Sequence, residues 1–353
     1  MNAPHDQAVL HVSLGALVSN WKLLASRCPK DCGATVKANA YGTGMDRAAP
    51  ALAEAGCKHF FVATLAEALE LRTLLPEAAI NVFSGLSDDD IPSMKAAKLR
   101  PVLNSPEELQ AWANAGGGPA SLHIDTGMNR LGCSLDNASQ LTTDDLTSAG
   151  VDRIMSHLAC ADTPDHALNA KQRDAFKSLA AAFPGLATSW ANSGGILNGK
   201  DFIGDVARPG IGLYGGNPRP TLDSPLSPVV RLVAPLLQSR SIEKGDPVGY
   251  GSTFIAQEPM TVATIGIGYA DGLHRIIDGA GHVRVDGAIC PILGRISMDS
   301  VITNISAIGP QPRGTPVEIL GTTTVTEMAA WAGTIDYEIL TSISPRVVRK
   351  YHV

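Results

Sequence analysis

A lysine that lies between an apolar run and two glycines is the residue of this sequence best suited to chemistry. Residues 34–36 form the apolar run, and the string VKANAYGTG carries Lys37 with Gly42 and Gly44 behind it. Burying a lysine at the mouth of a strand is costly unless the amine is paired, neutral or covalently used. Two interpretations are therefore open: a side chain whose amine reaches solvent, and an amine that binds a carbonyl cofactor covalently.

Other polar residues follow apolar runs further along the chain, each at the point where its run ends. Singly they have ordinary explanations, since an Asn-Ser pair can cap a helix, a histidine can lie in a core and an arginine can form a surface ion pair. If the runs are parallel strands of a barrel, these residues converge on the rim where barrel enzymes have their active sites. The residues are Asp125, Met128, Asn129, Arg130, His157, Asn192, Ser193 and Arg208.

The elements that must position these residues alternate between short strands and helices. A strand over 9–12 and a helix over 14–28 come first, and amphipathic segments such as 65–74, 106–115 and 169–182 lie between later apolar runs. This alternation predicts βαβ units with a parallel sheet, and eight successive runs predict a closed (β/α)8 barrel. An open doubly wound sheet is the alternative, but no GxGxxG follows the first strand. The eight runs are 34–37, 60–64, 80–84, 100–103, 121–124, 153–156, 186–190 and 205–208.

The last third of the chain has a different sequence pattern, in which apolar runs follow one another with little helix between them. These runs predict a mostly antiparallel β domain, and Asp286-Gly287 between two of them is typical of a hairpin turn. The Pro- and Gly-rich segment 215–228 is the predicted linker. The fold class is thus α/β, with a barrel domain over 1–227 and a β domain over 228–353. The runs are 229–233, 261–267, 282–286, 288–293, 300–305 and 316–320.

The loops after the seventh and eighth barrel strands are suited to bind a phosphate group. Barrels often bind phosphate there, and these loops offer the Ser193 hydroxyl and backbone amides next to glycine, which suit a dianion. No P-loop pattern competes with this interpretation. The amides belong to Gly194, Gly210 and Ile211.

Composition excludes several classes of protein. The chain has 353 residues, 44% of them hydrophobic, which is enough for two domains with a sizeable core. A net charge of -6 and no Lys/Arg-rich run argue against a nucleic-acid partner. No apolar stretch approaches the roughly 18 residues of a membrane span, and residues 1–7 lack a signal-peptide pattern. Six scattered cysteines predict free thiols in a reducing cytoplasm and no metal site.

Longer motifs, distributed over nearly the whole chain, resemble those of alanine racemases, which are fold-type III pyridoxal phosphate (PLP) enzymes. Several of these motifs are typical of the racemases rather than of fold-type III enzymes at large. The resemblance implies an enzyme that interconverts L-alanine and D-alanine with PLP and supplies D-alanine for peptidoglycan. The matching motifs are VKANAYGTG, DTGMNRLG, SHLACAD, ANSGG, ARPGIGLYGG, GYGSTF, GIGYADG and GRISMD.

The resemblance also implies a role for individual residues. Lys37 is expected to hold the cofactor and to act as one catalytic base, and Tyr250 is expected to act as the other. Arg208 is expected to contact the pyridine nitrogen, with His157 near the ring and Asn192 among the cofactor-binding residues. The expected phosphate contacts are Tyr41, Ser193, Gly210, Ile211 and Tyr351, and the expected substrate-binding residues are Arg130, the backbone amide of Met298 and, at the entrance, Tyr269.

Two bases on opposite faces suit racemisation, because the α-proton leaves from one face and a proton returns to the other. Tyrosine, with an ordinary pKa of about 10, must be poised by its surroundings to take part. Arg208 stays protonated and would donate to a pyridine nitrogen that remains neutral. A neutral ring is a weaker electron sink than a pyridinium, which disfavours transamination.

The sequence departs from the family pattern at two positions. Many relatives carry a carbamylated lysine that positions the carboxylate-binding arginine, and this chain has His123 there. A bound anion, the neutral histidine or another carboxylate must then hold Arg130. Some relatives have a histidine behind the arginine and tyrosine, where this chain has Ser189.

The resemblance further implies a head-to-tail homodimer in which the β domain of one subunit covers the barrel of the other. Each site would then combine Lys37 of one chain with Tyr250 of the other. Other functions stay open: a fold-type III decarboxylase, a racemase of another amino acid, or a PLP carrier without catalytic activity. The motifs DTGMNRLG and GYGSTF favour the racemase over the decarboxylase. A β domain that carries Tyr250 and Met298 argues against the carrier.

Overall fold

Short strands and helices alternate through the first part of the chain in the computed structural model, which describes residues 7–277 and 279–353. Residues 1–6, whose sequence lacks a signal-peptide pattern, lie outside the described residues. The strands are β1 Val9–Ser13, β2 Asp31–Cys32, β3 Ala34–Thr35, β4 His59–Val62, β5 Ala79–Val82, β6 Arg100–Leu103, β7 Ala120–His123, β8 Val151–Met155, β9 Ala187–Ser189 and β10 Val206–Ala207. The helices are α1 Leu14–Ala25, α3 Met45–Glu54, α4 Leu65–Leu74, α5 Ile91–Ala96, α6 Pro106–Asn114, α7 Leu135–Gln140, α8 Thr143–Ala149, α9 Ala167–Ala181 and α10 Ser193–Asn198, and the short segment α2 Lys37–Tyr41 is left-handed.

Parallel pairing of these strands closes a barrel. Seven strands form a sheet in the order β3-β4-β5-β6-β7-β8-β9, and β10 pairs in parallel with β2. On the other side of β10, the backbone N–H of Arg208 donates to the carbonyl of Ala191, just after β9, at 2.9 Å. Strands β2 and β3 are two halves of one strand, separated by Gly33. A Cβ on Gly33 would lie 2.7 Å from the carbonyl oxygen of His59. The predicted (β/α)8 barrel is confirmed, and the open doubly wound sheet is excluded.

Apolar side chains from alternate strands fill the barrel below its rim. Phe61, Val102, Met155 and Val206 come from four different strands and pack against one another, each at most 4% exposed. Burial of each such side chain stabilises the fold by roughly 1.5–3 kcal/mol. The residues two positions further along these strands therefore lie at the rim of the barrel, above this layer of packed side chains.

The remainder of the chain forms a mostly antiparallel sheet, as predicted, together with two helices that were not predicted. The helix α11 is marked by a capping box in which Thr324 and Glu327 bond each other's backbone N–H. The hairpin between β15 and β16 turns at Asp286-Gly287, both with positive φ. The strands are β11 Val230–Ile242, β12 Pro247–Val248, β13 Phe254–Ile255, β14 Met260–Ile265, β15 His282–Val285, β16 Ala288–Pro291, β17 Val301–Asn304, β18 Pro316–Leu320 and β19 Val348–His352, and the helices are α11 Val325–Ala332 and α12 Asp336–Ser342.

The strand β1 belongs to this second sheet although it precedes the barrel in the sequence. It lies between β11, with which it pairs antiparallel, and β19, with which it pairs in parallel. The sheet order is β16-β15-β18-β11-β1-β19, and β14 pairs with both β11 and β17. We keep the expected boundary between 1–227 and 228–353 as a proposal, with β1 added to the sheet of the second segment.

Candidate active site

A cavity of about 440 Å³ opens at the carboxyl ends of the barrel strands. Residues predicted for the site form half of its lining: Lys37, Tyr41, Arg130, His157, Asn192, Ser193, Arg208, Gly210 and Ile211. The rest of the lining is Thr35, Ala63, Thr64, Phe83, Ser84, Val102, His123, Leu131, Met155 and Tyr337. Most of the residues that the sequence placed on one rim therefore line one cavity, whereas Asp125, Met128 and Asn129 lie outside its lining.

Lys37 begins a left-handed turn, whereas the sequence predicted that it ends a strand. The strand β3 already ends at Thr35, and the next residues, 38–41, have φ angles of 52° or 53°. None of these residues is glycine, and each such residue costs roughly 1–2 kcal/mol in this conformation. The turn persists because its surroundings hold it, as strained backbone at functional sites generally requires.

The amine of Lys37 is biased towards its neutral form. Burial lowers the pKa of this half-buried side chain, and the nearby Arg130 cation lowers it further, while Glu67 acts in the opposite direction. A neutral amine is the nucleophilic form that attacks a carbonyl group. The first interpretation of this lysine, with its amine in bulk solvent, does not describe its surroundings.

Arg208 lies at the back of the cavity and is held by its guanidinium group. Nη1 donates to the Ser189 hydroxyl at 2.8 Å, and Nη2 donates to the Ser156 carbonyl at 2.7 Å. Its Nε is buried and has no hydrogen-bond partner among the described residues. Burial, with the nearby cation of Arg153, lowers the pKa of Arg208 to about 9. The side chain thus stays charged at neutral pH and keeps one N–H donor unused.

Ser189 and His157 complete the support of Arg208. The Ser189 hydroxyl donates to the carbonyl of Val206 at 2.6 Å, so its lone pairs face the guanidinium group. Nδ1 of His157 lies 3.2 Å from Nη2 of Arg208 and must accept, because arginine only donates. Burial and the Arg208 cation lower the pKa of His157 far below its usual range. Ser189 and His157 are therefore both neutral, and both accept hydrogen bonds from the charged guanidinium group of Arg208.

The loops after β9 and β10 form a cradle around the Ser193 hydroxyl. Its Oγ accepts the backbone N–H of Gly210 at 2.9 Å and that of Gly212 at 3.1 Å. Asn192 caps α10, since its Oδ1 accepts the N–H of Gly195 at 2.9 Å. The Gly194 amide, in the first turn of α10, has no carbonyl partner within its helix. Ser193, Gly210 and Ile211 thus line one end of the cavity, whereas Gly194, predicted as a fourth member of this group, lies outside the lining.

Tyr41 packs directly on this cradle. Its ring stacks on Tyr214 with 4.7 Å between centroids. A Cβ on Gly210 would lie 2.3 Å from the Tyr41 hydroxyl oxygen, so only glycine fits there. Burial raises the pKa of Tyr41, which keeps its hydroxyl neutral and able to donate a hydrogen bond.

His123 lines the cavity together with Arg130 and presents an acceptor. Its Nδ1 lies 2.8 Å from Oδ1 of Asn104, whose Nδ2 donates to the carbonyl of Val102 at 3.0 Å. Because an amide oxygen only accepts, Nδ1 carries the proton and Nε2 is left with a lone pair. Burial and the cations of Arg208 and Arg130 lower the pKa of His123 to about 4, so the ring is neutral at physiological pH.

The loop that carries Arg130 is shaped by Asp125. One carboxylate oxygen of Asp125 accepts the backbone N–H groups of Gly127 and Met128 at 2.9 Å and of Asn129 at 3.2 Å. The predicted polar residues of DTGMNRLG thus include a loop-forming aspartate. The arginine that follows is exposed at the mouth of the cavity.

Three of the four predicted site residues of the β domain are exposed, namely Tyr250, Tyr269 and Met298. Their exposed fractions are 69%, 42% and 52%. None of these described residues is part of the cavity lining of its own subunit. A fourth predicted residue, Tyr351, also lies outside the lining, and its hydroxyl packs against Gly44 instead.

Sequence reasoning missed two aromatic residues of the cavity. Tyr337 comes from the unpredicted helix α12, and its ring lies 6.0 Å from that of Tyr41. Phe83 follows β5, and the Lys37 amine lies 6.0 Å from the centre of its ring. The only signal for Phe83 was its place near the end of the predicted run 80–84, and Tyr337 lay in a stretch to which no element had been assigned.

The described residues contain neither a metal-binding cluster nor a membrane-spanning helix. Among the described residues, no group of three or more His, Cys, Asp or Glu side chains is arranged to hold a metal ion. None of the helices in 7–277 and 279–353 has the length and apolar character needed to cross a bilayer.

Two family models match the chain. The model "Alanine racemase, N-terminal domain" matches residues 12–218, and "Alanine racemase, C-terminal domain" matches residues 229–351. An alanine racemase of Acidiphilium cryptum is 46% identical over 99% of this chain and 99% of its own length. A catabolic alanine racemase of Agrobacterium fabrum is 43% identical over 97% of this chain and 91% of its own length.

Solved structures agree with these matches. An alanine racemase from Bartonella henselae with covalently bound pyridoxal phosphate is similar, with a TM-score of 0.94 at 39% identity, covering 98% of this chain and 99% of that one. A histidine racemase from Leuconostoc mesenteroides is also similar, with a TM-score of 0.87 at 28% identity, covering 100% of both chains. Because both family models match and full-length relatives are closely similar, the chain belongs to the alanine racemase family.

Proposed function

We propose that this protein is an isomerase that interconverts L-alanine and D-alanine with PLP. One observation carries the proposal: a single cavity combines a half-buried lysine, a cradle of hydroxyl and amide donors, and a buried arginine with a free N–H. The Bartonella henselae relative, which carries the cofactor covalently, supports the choice of PLP. The named relatives support alanine as the substrate.

The residues of the cavity fit the cofactor at both ends. The buried Nε of Arg208, which has no partner among the described residues, matches the pyridine nitrogen. The cradle of Ser193, Gly210 and Ile211, with the Tyr41 hydroxyl beside it, matches the phosphate group. Asn192 and His157 line the cavity between these ends, and Lys37 supplies the amine. When bound, the cofactor supplies an electron sink for the pair of electrons left as the α-proton is removed.

Lys37 and Tyr250 are the proposed pair of bases. The Lys37 amine, with its lowered pKa, holds or releases a proton on one face of the substrate. A second base must act on the opposite face, and the hydroxyl of Tyr250, next to GSTF in the β domain, is our candidate. Arg208, protonated at neutral pH, leaves the ring nitrogen without a proton, which favours return of the proton to the α-carbon over transamination.

The exposure of predicted site residues in the β domain supports a homodimer with shared sites. Tyr250 is 69% exposed and Met298 is 52% exposed, although both are expected to act inside a site. A head-to-tail pairing resolves this conflict, because the β domain of the second copy then covers the cavity of the first and buries these side chains. Tyr351 stays an expected phosphate contact. For this contact to form, docking of the second copy would have to bring the Tyr351 hydroxyl to the phosphate group.

Arg130, the backbone amide of Met298 and Tyr269 are the proposed substrate-binding residues. Arg130 stands at the mouth of the cavity, where a guanidinium can bind a carboxylate with two parallel hydrogen bonds. The lone pair of His123 Nε2 is an acceptor in the same cavity. We therefore favour the neutral histidine, among the three candidates, as the group that holds Arg130.

Activity should not depend on bicarbonate. A carbamate needs a neutral primary amine, and His123 has none, so assays in carbon dioxide-free buffer and in bicarbonate should give the same kcat. Because the pKa of His123 is lowered to about 4, this residue should add no step to the pH profile between about pH 5 and 8, where an ordinary histidine titrates. A requirement for bicarbonate, or a step that His123→Gln removes, would contradict this assignment.

The proposed setting is the cytoplasm, with D-alanine supplied to peptidoglycan. All six cysteines are unpaired thiols, which supports a reducing compartment. A deletion strain should then need added D-alanine to grow. Growth without it would contradict this supply role and favour a catabolic one, the role named for the Agrobacterium fabrum relative.

A direct test measures chirality and labels the lysine in one preparation. Pure protein with PLP should convert either alanine enantiomer to a racemic mixture, followed by a coupled D-alanine assay. Borohydride should then fix the cofactor on the Lys37 peptide. A panel that includes histidine separates alanine from the substrate named for the Leuconostoc mesenteroides relative. Loss of the carboxyl group from the substrate would indicate a decarboxylase. A labelled Lys37 without any turnover would indicate a PLP carrier. Label on another lysine would reject the site.

A further inference from the structure

One carboxylate outside the cavity lining forms hydrogen bonds both to the backbone just after Lys37 and to the loop after the neighbouring strand. Oε1 of Glu67 accepts the backbone N–H of Ala38, the residue after the lysine, at 2.6 Å. Its Oε2 accepts the N–H of Ala63 at 2.8 Å and the N–H of Thr64 at 3.2 Å. Ala63 and Thr64 line the cavity after β4, the neighbouring strand. Glu67 therefore joins the start of the left-handed turn to the adjacent rim loop.

We propose that Glu67 is a positioning residue, which fixes the backbone that carries Lys37 and thereby aims its amine into the cavity. The inference rests on the proposed function, in which Lys37 is the cofactor lysine and a base. The hydrogen bonds of the Glu67 carboxylate go to backbone N–H groups, and its charge also acts on the Lys37 amine through space. In the proposal, the positioning effect is transmitted through the backbone of Ala38, and Glu67→Asp tests the charge effect separately.

The strain of the turn explains why such a holding contact is needed. Residues 38–41 occupy a conformation that non-glycine residues rarely adopt, and without fixed partners the segment would relax to an ordinary one. Within the turn, Ala40 N–H donates to the carbonyl of Val36 at 2.8 Å, and beyond it Asn39 Oδ1 accepts the N–H of Met45 at 2.8 Å. Glu67 provides the charged contact at the first residue after the lysine, and charge-assisted hydrogen bonds are the stronger kind.

The contact with Ala38 exceeds what helix capping requires. Thr64 and Glu67 form a capping box at the start of α4, and Thr324 and Glu327 form the same box at the start of α11. The Glu327 carboxylate accepts the backbone N–H and the hydroxyl of Thr324, which does not line the cavity. Glu67 uses one oxygen for its box and extends the other to Ala38, so the two glutamates are a matched pair for experiment.

Glu67→Gln and Glu327→Gln should separate positioning from capping. Each variant loses the charge of its capping box, so the melting temperatures of the two holoenzymes should fall by similar amounts. In Glu67→Gln one carboxylate oxygen is replaced by an NH2 group, which only donates. This group must face the backbone N–H of either Ala38 or the Ala63–Thr64 segment, so one of these hydrogen bonds is lost. We expect kcat to fall roughly ten- to hundredfold, as displacement of a reacting group by about 1 Å does, while KM for alanine changes less than about threefold. Glu327→Gln should keep the wild-type kcat.

Two readouts do not depend on turnover. The visible circular dichroism of the bound cofactor reports its orientation, and the rate of borohydride reduction reports the accessibility of its bond to Lys37. Both should change in Glu67→Gln and not in Glu327→Gln. A wild-type protein that binds PLP on Lys37 but racemises nothing would reject the proposed function while leaving these two comparisons intact.

Glu67→Asp distinguishes position from charge. Aspartate keeps the negative charge beside Lys37 but is one methylene too short to reach both backbone segments, so kcat and the dichroism should again differ from wild type. If Glu67→Asp behaves as wild type while Glu67→Gln does not, the carboxylate acts by charge and the positioning proposal is wrong. Equal behaviour of Glu67→Gln and Glu327→Gln in every readout would also overturn it.

Discussion

Subunits with Lys37→Ala and subunits with Tyr250→Ala are each expected to be nearly inactive as homodimers and to regain about half of the wild-type activity per dimer when mixed. In a dimer with shared sites, one site of the mixed dimer collects both substitutions. The other site receives an intact Lys37 from one chain and an intact Tyr250 from its partner. Sites without common residues act independently, so the intact one should work at its full rate.

A matched pair of variants controls this experiment. Lys37→Ala mixed with Arg208→Ala places both lesions on the same rim, so each site of the mixed dimer carries one of them and no activity should return. Differently tagged subunits allow mixed dimers to be purified and counted before the assay. Failure of the first mixture, with mixed dimers present, would mean that Lys37 and Tyr250 act from the same chain.

Gly210→Ala is expected to weaken PLP binding roughly ten- to hundredfold. The added Cβ would lie 2.3 Å from the hydroxyl oxygen of Tyr41, which cannot move freely because its ring stacks on Tyr214. Either the tyrosine or the Gly210 amide must leave the cradle. One hydrogen bond to a charged group is worth about 1.5–3 kcal/mol, which corresponds to this loss of affinity. Titration of the apoprotein with PLP, followed by absorbance, measures it.

Gly15→Ala serves as the control for this substitution. A Cβ on Gly15, in α1, would make only ordinary contacts, the nearest at 3.4 Å from the backbone of Val353. Its affinity for PLP should equal that of wild type. If Gly210→Ala binds PLP as tightly as Gly15→Ala does, the phosphate group does not lie against the loops after β9 and β10.

The barrel and its rim could be predicted from the sequence because both depend on local patterns. Apolar runs of four or five residues mark the strands, and His157 and Arg208 each lie at the point where such a run ends. The place of Lys37 was predicted, but its conformation was not. Nothing in the letters KANAY indicates left-handed backbone, because alanine and tyrosine rarely adopt it and only tertiary contacts impose it.

Long-range relations could not be predicted from the sequence in the same way. The residues of α12 carry no period that distinguishes a short helix from a loop, so Tyr337 was missed. The capping box of Thr64 and Glu67 was readable in principle, but the contact of Glu67 with Ala38 bridges 29 positions of sequence. The strand β1 was predicted, whereas its partners β11 and β19 lie more than 200 residues away and had to be seen.

The position of β1 also constrains the order in which a nascent chain can fold. All the strands of the barrel have been synthesised once β10 at Val206–Ala207 is made, and domains that emerge first generally fold first. At that moment β1, already synthesised, has neither of its neighbours. One is β11 at Val230–Ile242, the next strand along the chain, and the other is β19 at Val348–His352. An unpaired strand edge is a template for wrong partners, so during translation both edges of β1 are open to wrong pairing until β11 and then β19 have been made.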